Sequence, residues 1–204
     1  TGGTIDVGGQ PIAGMNPRQI MELGLSYIPE ERMRDGMIKA FTVSENLILR
    51  EFDRPPFSRN GFLNPGAIQR NSQELVKDFN VKTPSLDTPV KNLSGGNIQK
   101  LVLAREISRQ PKVLVAAQPT RGLDIGAMEY VHAQLLKQRE LGLATLLISE
   151  DLDEILALSD RILVIFHGQI MGEMPRSEAT PKKLGLMMAG EHHTEEQESA
   201  TPAA

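Results

Sequence analysis

None of the 204 residues is cysteine. That excludes a disulfide, a thiolate metal site and a cysteine nucleophile. Long hydrophobic runs are also missing. The apolar runs are short, as at Leu143–Ile148 and Ile162–Phe166, and fall far short of the roughly 20 residues that cross a bilayer. No secretory signal is recognisable at the start. The expectation is a cytosolic chain whose membrane association, if any, comes through partner chains. A basic excess is lacking too: the net charge is -4, which gives no electrostatic case for nucleic acid as a partner. What remains is a chain with 40% hydrophobic residues, enough for one sizeable domain or a domain with a small subdomain.

Gly3–Gly9 reads as a strand ending in a tight turn, Pro17–Leu23 as a helix, and Leu25–Ile28 as a strand closed by Pro29. Thr42 to Glu45 forms a capping box ahead of a helix. Residues 53–66 hold three prolines and two glycines and are expected to be loop. Ala67–Phe79 is amphipathic at helical spacing, with Ile68, Leu75, Val76 and Phe79 on one side. After residue 110, strands (Val113–Ala117, Ala144–Ile148, Ile162–Phe166) alternate with helices (Ala127–Leu141, Leu152–Leu158). This alternation predicts an α/β fold with a mostly parallel sheet covered on both faces. His167–Gln169 reads as a hairpin turn leading to Ile170–Met174, and Pro181–Ala189 as a last helix. Four segments follow: 1–41 as the start of the core, 42–110 as an inserted helical subdomain, 111–190 as α/β core, and 191–204 as a polar tail expected to be disordered. His192 and His193 read as solvated tail rather than metal ligands.

The most informative run is Leu93-Ser94-Gly95-Gly96-Asn97-Ile98-Gln99-Lys100. A serine and two glycines open a predicted helix over Ser94–Ser108. Backbone N–H groups at a helix start have no intrahelical acceptor, and the helix dipole favours an anion there. Glycines let a phosphate approach the backbone. Ser94 either caps the helix or donates its hydroxyl to an anion.

Downstream stand Ala116-Ala117-Gln118-Pro119-Thr120-Arg121-Gly122-Leu123-Asp124 and Leu146-Leu147-Ile148-Ser149-Glu150-Asp151. In order and spacing, these blocks resemble the nucleotide-binding domain of ABC transporters from about Thr4 to about Gly190. The resemblance is to the second half of tandem sugar- or nucleoside-importing ATP-binding proteins. It implies an ABC-type P-loop NTPase fold, with LSGGN as the signature and Asp124 in the D-loop. It also implies ATP and magnesium as cofactors, a second nucleotide-binding domain and transmembrane permease subunits as partners, and a place on the cytoplasmic face of the membrane.

Against the family pattern several groups are missing. No GxxxxGK[ST] phosphate loop occurs, so the chain is expected to begin just after it, with apolar sheet faces exposed and poor stability or association as the result. Where the family carries Asp-Glu before the Pro119 position, this chain has Ala117 and Gln118. Alanine offers no oxygen to a metal, and glutamine cannot take a proton from water. Glu150 stands where a histidine meets the γ-phosphate, and Glu30 where a glutamine is usual. Drift at a dead site and a subgroup pattern both account for Gln118 and Glu150. Arg32, Arg34 and Asp35 read either as a solvated face or as a permease-docking segment.

The resemblance thus implies a chain that keeps what it lends and has lost what it would use. Leu93, Ser94, Gly95, Gly96, Asn97, Gln99 and Asp124, with Glu30, are its nucleotide-binding candidates, facing ATP held mainly by a partner domain. Gln118 and Glu150 are degenerate catalytic positions, and no metal ligand is assigned. The alternative is a non-transport regulatory pseudo-ATPase that pairs with another ABC ATPase.

Overall fold

The computed structural model describes residues 2–191. The polar tail from His192 onward, with its histidine pair, lies outside the described residues. Two compact units divide after Ile148.

The first unit opens with a two-residue hairpin, β1 (Asp6–Val7) and β2 (Gln10–Pro11), turned by Gly8 and Gly9 at φ 59 and 79°. A two-residue turn with both φ positive matches the twist of the strands it joins, which favours glycine. Helix α1 (Pro17–Glu22) starts at a reciprocal Asn16–Gln19 capping box and carries Pro17 at a position where no N–H is needed. Strand β3 is Leu25–Ile28, and a π-helical turn, Arg32–Gly36, follows it. The predicted Thr42–Glu45 box caps α2 (Val43–Leu47).

Within the expected 53–66 loop lies a hairpin, β4 (Ser58–Arg59) and β5 (Phe62–Leu63), joined by Asn60-Gly61 at φ 52 and 82°. Asn-Gly is the commonest signal for this turn, but strands of two residues leave no alternation to read. Helix α3 (Pro65–Asp78) also starts earlier than expected, because Asn64 accepts from the Ala67 N–H and Pro65 tolerates the first helical position. Helix α4 (Gly95–Ile107) runs through the core, with Leu101, Val102, Leu103 and Ala104 fully buried. Strand β6 (Val113–Ala117), helix α5 (Ile125–Glu140) and strand β7 (Ala144–Ile148) complete this unit.

The sheet of the first unit has order β3-β6-β7 and is wholly parallel, with Tyr27, Val115 and Leu146 in one row. Both crossovers step in the same direction. Right-handed crossovers that step the same way place their helices on the same face. One face (Ser26, Ile28, Leu114, Ala116) is therefore buried, and Ser26 Oγ donates to the Glu106 carbonyl of α4. The other face carries Tyr27, Leu146 and Ile148, with Leu146 58% exposed. The expectation of a sheet covered on both faces thus fails among the described residues. Strand–helix alternation shows that crossovers exist; only the strand order shows whether they change sides.

In the second unit, Asp151 caps α6 (Leu152–Leu158) by accepting from the Asp153 and Glu154 N–H groups. Strands β8 (Arg161–Phe166) and β9 (Gln169–Pro175) pair antiparallel as a sheet of their own through His167-Gly168, at φ 48 and 78°. The predicted His167–Gln169 hairpin thus forms, and Ile162–Phe166, which the alternation assigns to the parallel sheet, lies in this antiparallel pair instead. Helix α7 (Pro181–Met188) packs Leu184 and Met187 with Ile162, Val164, Met171 and Met174. No helix among the described residues is long and apolar enough to cross a membrane.

Candidate functional site

Ser94 is the N-cap of α4, exposed, with extended backbone. Its Oγ accepts from the Asn97 side-chain amide at 3.0 Å and from the Asn97 N–H at 3.4 Å. Asn97 Oδ1 in turn accepts from the Lys82 N–H at 2.8 Å. The predicted cap therefore forms, and Asn97 supports it. Leu93 leads in from a 3-10 turn, Val90–Asn92, whose Val90 is fully buried. Behind the cap, Lys100 Nζ donates to the Asn80 carbonyl at 3.1 Å and lies 4.5 Å over the Tyr130 ring. Tyr130 donates its hydroxyl to the Phe79 carbonyl at 2.7 Å, so α3, α4 and α5 are pinned together.

Burial raises the Tyr130 pKa above the ordinary 10.0. The folded state thus holds the phenol proton more tightly than the unfolded chain. The stability this supplies is complete below the ordinary tyrosine range and is lost as pH rises through the folded value. An alkaline absorbance titration of the Tyr27→Phe protein, which leaves one tyrosine, should show ionisation later than in free tyrosine.

Glycines let this helix start approach its neighbours. A Cβ on Gly96 would stand 3.0 Å from Ala127 Cβ, and one on Gly95 would stand 3.0 Å from Arg32 Nη2. Asp124 caps α5 by accepting from the Ala127 N–H at 2.8 Å. The starts of α4 and α5 therefore lie side by side, with Ser94, Gly95, Gly96 and Asp124 grouped there.

The turn Pro119–Leu123 runs beside them. Gln99 is buried, and its amide donates to the Pro119 carbonyl at 2.6 Å. Arg32 donates to the Arg121 carbonyl at 2.6 Å and the Gly122 carbonyl at 3.3 Å. The Arg121 side chain forms an ion pair with Glu30. The predicted residues Glu30, Ser94, Gly95, Gly96, Gln99 and Asp124 are thus brought to one region. Arg32 and Arg121, which sequence reasoning did not place there, join them. Arg32 turns inward, whereas Arg34 and Asp35 pair on the surface and hold each other's charge. By sequence nothing distinguishes Arg32 from Arg34, since both are arginines in one charged run.

Gln118 follows β6 directly with φ at 47°, an uncommon conformation for a side chain of its kind. Its N–H donates to the Ile148 carbonyl at 2.8 Å, and its carbonyl accepts from the Arg121 N–H at 3.1 Å. Gln118 thus stands at the carboxyl end of a parallel strand, where ligands of open α/β sheets bind. Glu150 follows β7 and belongs to the second unit. Among the described residues no three His, Asp or Glu side chains group as a metal cage. The helix start, with its exposed hydroxyl, two glycines and the Arg32 guanidinium at its side, suits a phosphate approached from outside.

A sequence profile described as "ABC transporter" matches residues 1–121. The guanosine import ATP-binding protein NupO of Bacillus subtilis is 45% identical over 188 residues, covering 92% of this chain and 37% of that protein. The nucleoside import ATP-binding protein NupA of Lactococcus lactis is 44% identical over the same shares. A ribose import ATP-binding protein of Rubrobacter xylanophilus is 40% identical, over 92% of this chain and 36% of its own length. The chain spans little more than a third of these relatives. Among solved structures, a dimeric post-hydrolysis state of the ATP-binding cassette MJ0796, bound to ADP and Pi, superposes with a TM-score of 0.69. It covers 86% of this chain and 74% of that one at 19% identity, which shows the fold alone. By sequence the chain belongs to the ABC transporter family, and its α/β fold is that of an ATP-binding cassette.

Proposed function

We propose that this chain is part of the ATP-binding subunit of an importer of nucleosides or simple sugars. In this reading it lends the Leu93–Asn97 signature to ATP held by a partner cassette, while its own hydrolytic position is inert. The observation that carries the proposal is the exposed Ser94 hydroxyl at the glycine-opened start of α4, beside Asp124. Bound there, ATP with magnesium would supply the phosphoanhydride to be cleaved. This chain's residues would position it: Ser94 by its hydroxyl, Gly95 and Gly96 by backbone N–H groups, with Asn97 and Gln99 holding the helix start. At its own strand end, Ala117 has no oxygen for a metal and Gln118 orients a water without accepting its proton. A carboxylate at Glu150 would repel the phosphate that a histidine attracts.

The permease would seat on the segment from about 31 to 60, which exposes Phe41 and Phe52 and is followed at once by the exposed Phe62 and Leu63, with Phe62 81% exposed. Large exposed apolar side chains in one stretch mark contact surfaces. The placement would be peripheral, on the cytoplasmic face of the membrane, with no nucleic acid among the partners.

Removing the gene should abolish uptake of a labelled nucleoside or pentose, and restoring the intact gene should return it. A regulatory module without transport would leave uptake of every such solute unchanged, and that result would reject the importer reading.

A further inference from the structure

The geometry points to Arg32 as a positioning residue that latches the Pro119–Leu123 turn to the segment following β3. Two backbone bonds close the turn, Arg121 N–H to the Gln118 carbonyl and Leu123 N–H to the Thr120 carbonyl, each at 3.1 Å. Further bonds reach it from outside. Gln99 takes the Pro119 carbonyl, and the two arms of the Arg32 guanidinium take the next carbonyls but one, those of Arg121 and Gly122. A planar fork with fixed donors suits two adjacent acceptors, and a lysine reaches only one. Glu30, two residues before Arg32, holds the Arg121 side chain by an ion pair. One short segment thus grips both the backbone and the side chain of the same turn residue.

The guanidinium also lies between two glycines. A Cβ on Gly95 would come within 3.0 Å of its Nη2, and one on Gly122 within 3.8 Å. The helix start and the turn are therefore spaced around Arg32. Arg32 itself begins the π-helical turn Arg32–Gly36, a rare element found often at functional sites. The other end of that turn is anchored, since Gly36 is buried and a Cβ there would meet Pro29 at 3.2 Å and Val102 at 3.5 Å. Its outer corner presents the exposed Arg34–Asp35 pair. A partner that displaces this corner moves Arg32, and with it the Arg121 and Gly122 carbonyls next to Gly95. The latch thereby connects the surface at Arg34–Asp35 to the loops beside the α4 start. Its consequence for hydrolysis rests on the proposed reading that these loops face a partner's nucleotide.

The test compares Arg32→Ala, Arg32→Lys and the wild type in the full-length protein assembled with its partners. Amide hydrogen exchange is followed at Arg121 and Leu123 with Val113–Ala117 as internal control, and the kcat and KM for ATP are measured in parallel. Arg32→Ala should speed exchange at Arg121 and Leu123 about tenfold, as expected for the loss of two hydrogen bonds, with the strand unchanged. It should lower kcat severalfold and leave KM nearly constant, and Arg32→Lys should recover part of both. Should Arg32→Ala not fold, Gly95→Ala crowds the guanidinium from the other side and should loosen the same two amides. Unchanged exchange at Arg121 and Leu123 overturns the latch, whatever hydrolysis does. Faster exchange with unchanged kcat keeps the latch and rejects the reading of the turn as part of a hydrolytic interface.

Discussion

Ser94→Arg should abolish ATP hydrolysis by the partner cassette while leaving this chain folded. Ser94 is exposed, so the larger side chain has room in the monomer. The folding cost is that of a lost N-cap, about 1 kcal/mol, which lowers Tm by roughly 2–4 °C in a chain of this size. The catalytic cost is larger. An arginine fills the space over Gly95 and Gly96, where a phosphate would approach, and removes one hydroxyl donor. Loss of a single preorganised donor at a reacting anion costs about 10²–10³ in rate. Turnover in the assembled complex should therefore fall by at least about a hundredfold. Ser94→Ala, which removes the donor without adding bulk, should sit between the two. Comparing Tm with turnover separates folding from function.

Glu106→Ala should be the most destabilising single change. Glu106 is 1% exposed, and its Oε1 accepts from Arg105 Nε at 2.8 Å and Arg50 Nε at 3.2 Å. Arg105 is itself 3% exposed; desolvation pulls its pKa below the ordinary value, and Glu106 opposes that pull. Removing the carboxylate leaves a buried guanidinium without a counter-charge. Breaking such a pair costs about 3–5 kcal/mol, against about 5–15 kcal/mol for the stability of a whole domain. The variant should lose most of its cooperative thermal transition. Glu106→Gln keeps an acceptor oxygen without the charge and should lose less. Circular dichroism melts of the three proteins would rank them.

The parts of this fold written in local chemistry were legible in the sequence. The caps read at Thr42 and Ser94 form, each a short polar side chain accepting from the first turn, and Asn16, Asp124 and Asp151 follow the same rule in the structure. The strands Leu25–Ile28, Val113–Ala117 and Ala144–Ile148 stand where their apolar runs predicted. Pairing was legible only where a tight turn joins neighbours, as between β8 and β9 at His167-Gly168. That β3, β6 and β7 step in one direction, and that β8 stands outside their sheet, depends on contacts far apart along the chain. The site divides in the same way. The serine and the glycines announce a helix start and a cap, and both form, while Asp124, placed by resemblance in the D-loop, caps α5 beside them. Arg32 looked like one more surface charge, because a guanidinium that reaches the carbonyls of residues 121 and 122 leaves no mark on the residues beside it.

The most direct measurement is ATP turnover by this cassette alone, and then in the presence of an intact partner cassette. The account predicts no turnover above background from the cassette alone. It predicts clear turnover in the mixture, lost when Ser94→Arg replaces the wild-type chain. Hydrolysis by the cassette alone, or a mixture whose rate is indifferent to Ser94→Arg, would contradict it.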